Sequence, residues 1–275
     1  MMQHPHSRRH FLRNTACTIA ALSPLGTGIV AAADEDPSVL GQGKFRFRRV
    51  QDWGFKRDGS AIEVNDCHEL VRTRAGKMIL CTTNTANNLI EFSPDGRVER
   101  TFGTTYPGIH GLSLSEENGE EFLWITDTNR RIVVKLDMQG REILTLGWPK
   151  DSGKYEAEDR FCPTETAVNP ANGDLYVADG YGSNYLLHYS AKGELKGAYR
   201  HEGFNCIHGV AFDARDAANP KLLVTSRAAN KLFTLSLDGQ NLGHKDFPGA
   251  WICRPVIHGE NVFFAVINSG RLDWG

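Results

Sequence analysis

No charge of one sign dominates this sequence: 31 Lys+Arg stand against 33 Asp+Glu, for a net charge of −2. A protein that holds nucleic acid through bulk electrostatics carries a basic excess, so no nucleic acid partner is expected. No apolar run reaches the roughly 18–20 residues of a spanning helix, so no membrane span is expected either. Cysteine is scarce, six in 275 residues, too few for a disulfide-built scaffold. Helical periodicity is nearly missing. The charged share of 23% and hydrophobic share of 40% are those of an ordinary globular chain, which sets disorder and low complexity aside. The length suits one large domain or two small ones.

The N-terminus reads as an address. Ser7-Arg8-Arg9-His10-Phe11-Leu12-Arg13 carries a twin arginine, and a mildly apolar stretch from Thr15 to Val30 follows. Ala31-Ala32-Ala33 then offers a small-residue cleavage site before Asp34-Glu35-Asp36. A basic region, a short apolar region and a small-residue site, in that order, define an export signal. The twin arginine makes residues 1–33 resemble a bacterial Tat signal, which implies a periplasmic or secreted protein. Losing that segment removes three arginines and no acid, taking the net charge from −2 to −5. Five cysteines remain in an oxidising compartment: Cys67, Cys81, Cys162, Cys206 and Cys253. The odd count leaves one unpaired unless it bonds another chain or a metal.

What the chain has in quantity is glycine, 28 residues, placed at recurring turns between short alternating strands. Pro94-Asp95-Gly96, Met138-Gln139-Gly140, Ala191-Lys192-Gly193 and Leu237-Asp238-Gly239 each end a pair of strands. Such hairpin turns suit residues that tolerate positive φ. Ahead of each pair lies another apolar strand, beginning at His68, His110, Thr164 and His208, with spacings of 42, 54 and 44 residues. Four strands per roughly 40–50 residues is the period of a β-propeller blade. A fifth unit starts at Cys253-Arg254-Pro255-Val256 and continues through Asn261–Val266. The fold class expected is therefore all-β, a propeller over residues 62–275 with five blades visible. It reads as a five-bladed ring or as a six-bladed ring lacking its last blade. Residues 34–61 form a leader, in which Phe45, Phe47, Val50 and Trp53 are candidates for an outer strand that closes the ring.

The first strand of each blade lines the central channel, so equivalent residues converge on one axis. His68, His110 and His208 share one repeat position. Three imidazoles from separate blades can build a metal site with an open position for water or substrate. Cys67, Cys162, Cys206 and Cys253 fall one or two residues from the same positions, as small buried side chains or as thiols grouped at the channel entrance.

Four segments carry a family resemblance: Ile109-His110-Gly111-Leu112-Ser113, Cys162-Pro163-Thr164-Glu165-Thr166-Ala167-Val168, Ala178-Asp179-Gly180-Tyr181-Gly182-Ser183 and Ile207-His208-Gly209-Val210-Ala211. Over roughly residues 62–267 the chain resembles the NHL-repeat propellers, and among them the peptidyl-α-hydroxyglycine α-amidating lyases. In that family three histidines from alternate blades hold a zinc ion. The resemblance implies that His110 and His208 are two of them. The third comes from a sixth blade; either that blade is missing here, or His68 substitutes. The family's catalytic tyrosine matches Tyr181, and Arg227 matches an arginine near its site. Its other arginine has no counterpart in the loop Thr82-Thr83-Asn84-Thr85-Ala86-Asn87-Asn88, where Asn84 and Asn87 are left to line the mouth.

The resemblance implies a zinc-dependent lyase acting on a small-molecule or peptide-like substrate. In the family a carbinolamide C–N bond is cleaved to an amide and glyoxylate. The alternative is a non-catalytic propeller that binds a protein or glycan ligand through its loop face. A third reading, a calcium-dependent lactonase-like propeller, needs inward carboxylates, and the inner strands offer only Glu69 and Glu165. Asp127 and Asp179, after the second strands of two blades, are either loop caps or ligands for a structural calcium ion.

Overall fold

The computed structural model describes residues 39–269. The proposed export signal, residues 1–33, lies outside them. Two units separate by contact, residues up to Arg49 and residues from Val50 onward. In the first, β1 (Val39–Gln42) and β2 (Phe45–Arg48) form an antiparallel hairpin of their own.

The second unit is the propeller. Blade one consists of β3 (Cys67–Arg72), β4 (Met78–Thr82), β5 (Leu89–Phe92) and β6 (Val98–Phe102). Blade two has β7 (Ile109–Glu117), β8 (Glu120–Asp127), β9 (Ile132–Asp137) and β10 (Glu142–Leu146). Blade three has β11 (Glu165–Val168), β12 (Leu175–Ala178), β13 (Leu186–Tyr189) and β14 (Leu195–Tyr199). Blade four has β15 (Ile207–Asp213), β16 (Lys221–Ser226), β17 (Lys231–Leu235) and β18 (Asn241–Asp246). Each is a four-stranded antiparallel meander in chain order. A two-stranded sheet follows, β19 (Ala250–His258) with β20 (Asn261–Ser269). The all-β propeller read from the repeats is the fold observed.

The recurring glycine turns have one positive-φ residue each, not two. Gly96, Gly140 and Gly193 sit at φ 84° and Gly239 at 80°, while the residues before them keep negative φ. In each blade the strand pairing slips by one residue beside this turn, at Glu91/Phe92, Glu142/Leu144, His188/Tyr189 and Thr234/Leu235. These are bulged hairpins, in which the glycine supplies the left-handed step and the bulge adds twist.

The same glycines key one blade to the next. A Cβ on Gly140 would meet Phe102 at 2.7 Å, on Gly193 Leu146 at 2.8 Å, and on Gly239 Tyr199 at 2.2 Å. In each case the covering side chain comes from the last strand of the preceding blade. Trp53 covers Gly96 of blade one in the same manner, 2.3 Å from where a Cβ would stand. The backbone continues this contact: Phe55 bridges Arg97, and Val98 N–H donates to the Phe55 carbonyl at 3.0 Å. Of the residues expected to close the ring, Trp53 thus takes the place of a preceding blade's outer strand. Phe45 and Phe47 belong to the separate hairpin, and Val50 is exposed.

Apolar layers between blades supply the stability. Ile79, Leu89, Leu112 and Ile125 are fully buried between blades one and two. Phe161, Val177 and Leu187 do the same between two and three, and Ile207, Val224 and Leu235 between three and four. Each such side chain contributes about 1.5–3 kcal/mol by leaving water.

The inner strands β3, β7, β11, β15 and β19 neighbour one another in order around the channel. Two glycines set how closely they approach. A Cβ at Gly111 would stand 2.7 Å from the Thr164 carbonyl oxygen and 2.9 Å from Glu165 Cα. One at Gly209 would stand 2.5 Å from Arg254 Cα. These neighbours are backbone and cannot swing away. Gly209→Ala is therefore expected to cost about 1–3 kcal/mol. Gly147→Ala, at a site with nothing within 4 Å, should stay within about 0.5 kcal/mol of wild type. Urea unfolding midpoints of the two variants check this.

Candidate active site at the channel mouth

His110 and His208 are each followed by a glycine, Gly111 and Gly209, and the approach these permit brings imidazoles from different blades together. His110 and His208 are buried, with ring centroids 4.8 Å apart and planes at 67°. His68 is exposed and stacks on His110, with centroids 4.3 Å apart and planes at 27°. Thr164 holds the corresponding place on blade three and contributes its carbonyl, which lies 2.8 Å from His110 Nδ1. Nδ1 must carry the proton to donate there, so Nε2 of His110 presents a lone pair.

That lone pair faces Tyr181. The phenol oxygen lies 3.3 Å from His110 Nε2 and 3.1 Å from His208 Nε2. Arg227 Nη2 donates to the same oxygen at 3.2 Å, and its guanidinium lies over the Tyr181 and Trp251 rings. All five site residues named from the sequence, His68, His110, His208, Tyr181 and Arg227, are thus brought to one end of the channel.

The turn that presents Tyr181 is tightly built. Asp179 is fully buried and accepts the N–H groups of Cys162 at 2.6 Å and Ser183 at 2.7 Å, and the Tyr155 hydroxyl at 3.0 Å. A Cβ at Gly180 would come 2.3 Å from the Ile207 carbonyl oxygen, and one at Gly182 2.1 Å from Asp179 Oδ1. The long connection between blades two and three, which made the 54-residue spacing, clamps this turn through Tyr155 and through the Arg160 carbonyl, which accepts from Ser183 Oγ at 3.0 Å. Asp127 likewise caps its own loop, accepting from Asn129 and Arg130 N–H at 2.9 and 2.8 Å. Both aspartates therefore serve as caps. The Asn84 and Asn87 amides donate to the Glu63 carbonyl at 3.5 and 2.7 Å.

Burial governs the titration of the cluster. Loss of solvation, reinforced by the neighbouring imidazole, pushes His110 down to about 4 and His208 down to about 2. Both are neutral at neutral pH, the form that ligates metals. Burial also raises the Tyr181 phenol, and Arg227 opposes it by stabilising the phenolate. His208 Nδ1 is buried with no hydrogen-bond partner. The tyrosine has one proton to share between two facing Nε2 atoms, so one of these lone pairs is left without a donor. That donor set fits a cation. Among the described residues no three His, Cys, Asp or Glu side chains form a ready cation cage.

One residue deeper along the inner strands lies a layer of which sequence reasoning named only Glu69 and Glu165, as inward carboxylates. It holds Glu69, Gly111, Glu165, Gly209 and Arg254. Arg254 Nη1 donates to Glu69 Oε2 at 2.8 Å and to the Leu112 carbonyl at 2.6 Å, tying β19 to β3 and β7. Arg254 Nε stands 3.8 Å from Glu165 Oε2. Burial first, then the Glu69 charge, raise Glu165 well above the usual carboxylate range, against the pull of Arg254. The two inward carboxylates are thus committed to an arginine. Their shared repeat position, with a base at the same position in the fifth unit, was the signal available.

No family model matches the chain. Over 123 residues it is 35% identical to peptidyl-α-hydroxyglycine α-amidating lyase 1 of Drosophila melanogaster, covering 43% of this chain and 21% of that protein. It resembles the amidating lyases. A probable lyase of the same name from Caenorhabditis elegans is 39% identical over 88 residues, 31% of this chain and 23% of its own length. The peptidylglycine α-amidating monooxygenase of Rattus norvegicus is 34% identical over 89 residues, 9% of its length. The chain thus spans less than a quarter of each of these relatives. Among solved structures, virginiamycin B lyase from Staphylococcus aureus matches 70% of this chain and 60% of its own at a TM-score of 0.52 and 14% identity. A gluconolactonase from Xanthomonas campestris matches 73% and 69% at 0.52 and 15%. Both are likenesses of fold.

The pH dependence of stability follows from the two buried imidazoles. Their folded pKa values lie below the ordinary 6.5, so unfolding takes up protons once the pH falls through 6.5. Stability is full above that point and declines as the pH drops toward 4, by up to about 1.4 kcal/mol per pH unit for each histidine. Denaturant unfolding in chelator between pH 7 and 4.5 should show the slope. A His110→Asn/His208→Asn variant should lack it.

Proposed function

We propose that the chain is a metal-dependent, lyase-like enzyme that cleaves a C–N bond in a small or peptide-like substrate at the channel mouth. One observation carries this reading: a single phenol oxygen stands within 3.3 Å of two imidazole Nε2 atoms and 3.2 Å of a guanidinium. The amidating-lyase relatives support the reaction class. Export through the twin-arginine segment is part of the same reading and rests on Arg8, Arg9 and the Ala31–Ala33 site.

His110 and His208 would hold the metal, and His68, stacked on His110, is the third imidazole within reach. When bound, a zinc ion supplies Lewis-acid polarisation of a substrate oxygen. The chain's own residues do the rest. The Thr164 carbonyl keeps the proton on His110 Nδ1 and leaves Nε2 bare. Tyr181 Oη exchanges a proton with the substrate: it takes one from a hydroxyl as the carbonyl forms and the C–N bond breaks, and returns one to the departing nitrogen. Arg227 stabilises the phenolate that precedes the first transfer and is restored by the second, and its remaining N–H donors suit a substrate carboxylate.

Metal analysis of the purified chain tests the reading. About one zinc per chain is expected, lost from a folded His110→Ala/His208→Ala variant. Tyr181→Phe should keep the metal and lose about 10²–10⁴-fold in lyase turnover. A folded double variant that retains its metal would sink the proposal. A folded wild-type chain without metal would favour the propeller that binds a protein or glycan partner.

A further inference from the structure

The hairpin of β1 and β2 carries charge of one sign only. Lys44, Arg46, Arg48 and Arg49 give residues 39–49 four positive charges, and no acid lies between Asp36 and Asp52. Residues 50–275 have the opposite balance, 24 Lys+Arg against 30 Asp+Glu. The strand register sorts the side chains of the hairpin, because neighbours along a strand point to opposite faces. Leu40 pairs with Phe47 and Gln42 with Phe45, so Leu40, Phe45 and Phe47 share one face. Val39 pairs with Arg48 and Gly41 with Arg46, which places both arginines on the other face. Leu40 is 63% exposed, Phe47 57% and Phe45 38%. Gly43, at φ 55°, makes the two-residue turn with Lys44, whose Nζ lies 5.1 Å from the Phe45 ring centre. Among the described residues the two strands pair only with each other.

We propose that this hairpin docks on the surface of a bilayer that contains anionic phospholipid. A two-stranded hairpin is marginal in water, and an apolar face on it gains from a phase that covers it. The boundary between lipid headgroups and acyl chains is such a phase, and it takes up Leu40, Phe45 and Phe47 from one side of the hairpin. The backbone stays at headgroup level, where water still reaches the outer edges of both strands. The other side then meets the phosphates. Arginine forks match phosphate oxygens, and the long side chains of Arg46, Arg48 and Lys44 bend to that level along their apolar stems. Four basic residues together are the size of cluster that an anionic leaflet attracts. Charge and apolar surface thus call for one partner that offers both at different depths. An extended oligonucleotide or an acidic peptide would lie against one face of the hairpin and leave the other in water. The docking uses arginine and lysine charges, so it holds across the neutral pH range.

Vesicle sedimentation of the full chain tests this. The probes are vesicles of phosphatidylcholine and vesicles of phosphatidylcholine mixed with phosphatidylglycerol. Salt is set at about 0.01 M and about 1 M, where the screening length is about 30 Å and about 3 Å. Binding to the anionic vesicles at low salt is expected, with much weaker binding to the neutral ones and at high salt. Arg46→Gln/Arg48→Gln should lower the partition coefficient on anionic vesicles about 25-fold, roughly fivefold for each charge. Arg46→Lys/Arg48→Lys should hold it, which separates loss of charge from a folding defect. Phe47→Ser should lower it at least about tenfold by removing an apolar anchor. Failure of the wild type to bind anionic vesicles at low salt overturns the proposal. Equal binding by the wild type and Arg46→Gln/Arg48→Gln also overturns it, because another segment, the twin-arginine one included, then makes the contact. Retention of a labelled oligonucleotide in place of vesicles overturns it in favour of a nucleic acid.

Discussion

The close approach of neighbouring inner strands is the constraint from which the site follows. Gly111 and Gly209 allow β7 against β11 and β15 against β19 at distances that no side chain would permit. The histidine beside each glycine is then carried to the channel axis, where it loses its water. A buried imidazole that cannot be charged is a poor neighbour for another one unless something polar stands between them. Tyr181 Oη fills that role, and Thr164 satisfies the far side of His110. A larger residue at either glycine would part the strands and undo the cluster without touching a histidine.

Polar satisfaction is shared between two layers. The deeper one spends its charges on structure: Arg254 ties Glu69 to the Leu112 carbonyl across three inner strands, and Glu165 also accepts the Thr166 N–H at 2.9 Å. Buried carboxylates so engaged are poor ligands for a calcium ion, because each bond to a cation would have to displace one to arginine or backbone. The upper layer leaves atoms unpaired, notably His208 Nδ1. In a folded protein buried polar groups usually find partners, and this imidazole nitrogen is one that has none.

The repeats were legible because each blade repeats one physical problem. Alternating strands, a bulged glycine turn and an inward residue recur at blade length, and periodicity reveals all three. The site residues were legible for the same reason, since equivalent positions converge. What stayed hidden depended on contacts between blades. The Thr164 carbonyl is backbone and leaves no side-chain signature. The four cysteines near the inner-strand positions read as small buried side chains or as grouped thiols; Cys67 is exposed with its sulfur on the Asn65 carbonyl, and the Cys162 sulfur contacts the Thr128 carbonyl. Trp53 was read as part of a closing strand, yet its contact is with the Gly96 turn of blade one, a fact of packing that pattern alone does not contain. The turn chemistry was half right, since the bulge moves the positive φ onto glycine alone.

Arg227 joins the Tyr181 turn to blade four. Its backbone N–H donates to the Cys206 carbonyl, its guanidinium lies over two aromatic rings, and Nη2 donates to a phenol. None of those partners carries a full negative charge at neutral pH. A guanidinium held so firmly, yet without a carboxylate in the contacts named, keeps its attraction for an anion intact. The side chain is half-buried, so an anion reaching it would sit partly out of water, where the attraction is less screened. The same positive charge lowers the cost of a phenolate at Tyr181. The phenol and the guanidinium are therefore coupled, and a change at either alters the electrostatics of the other.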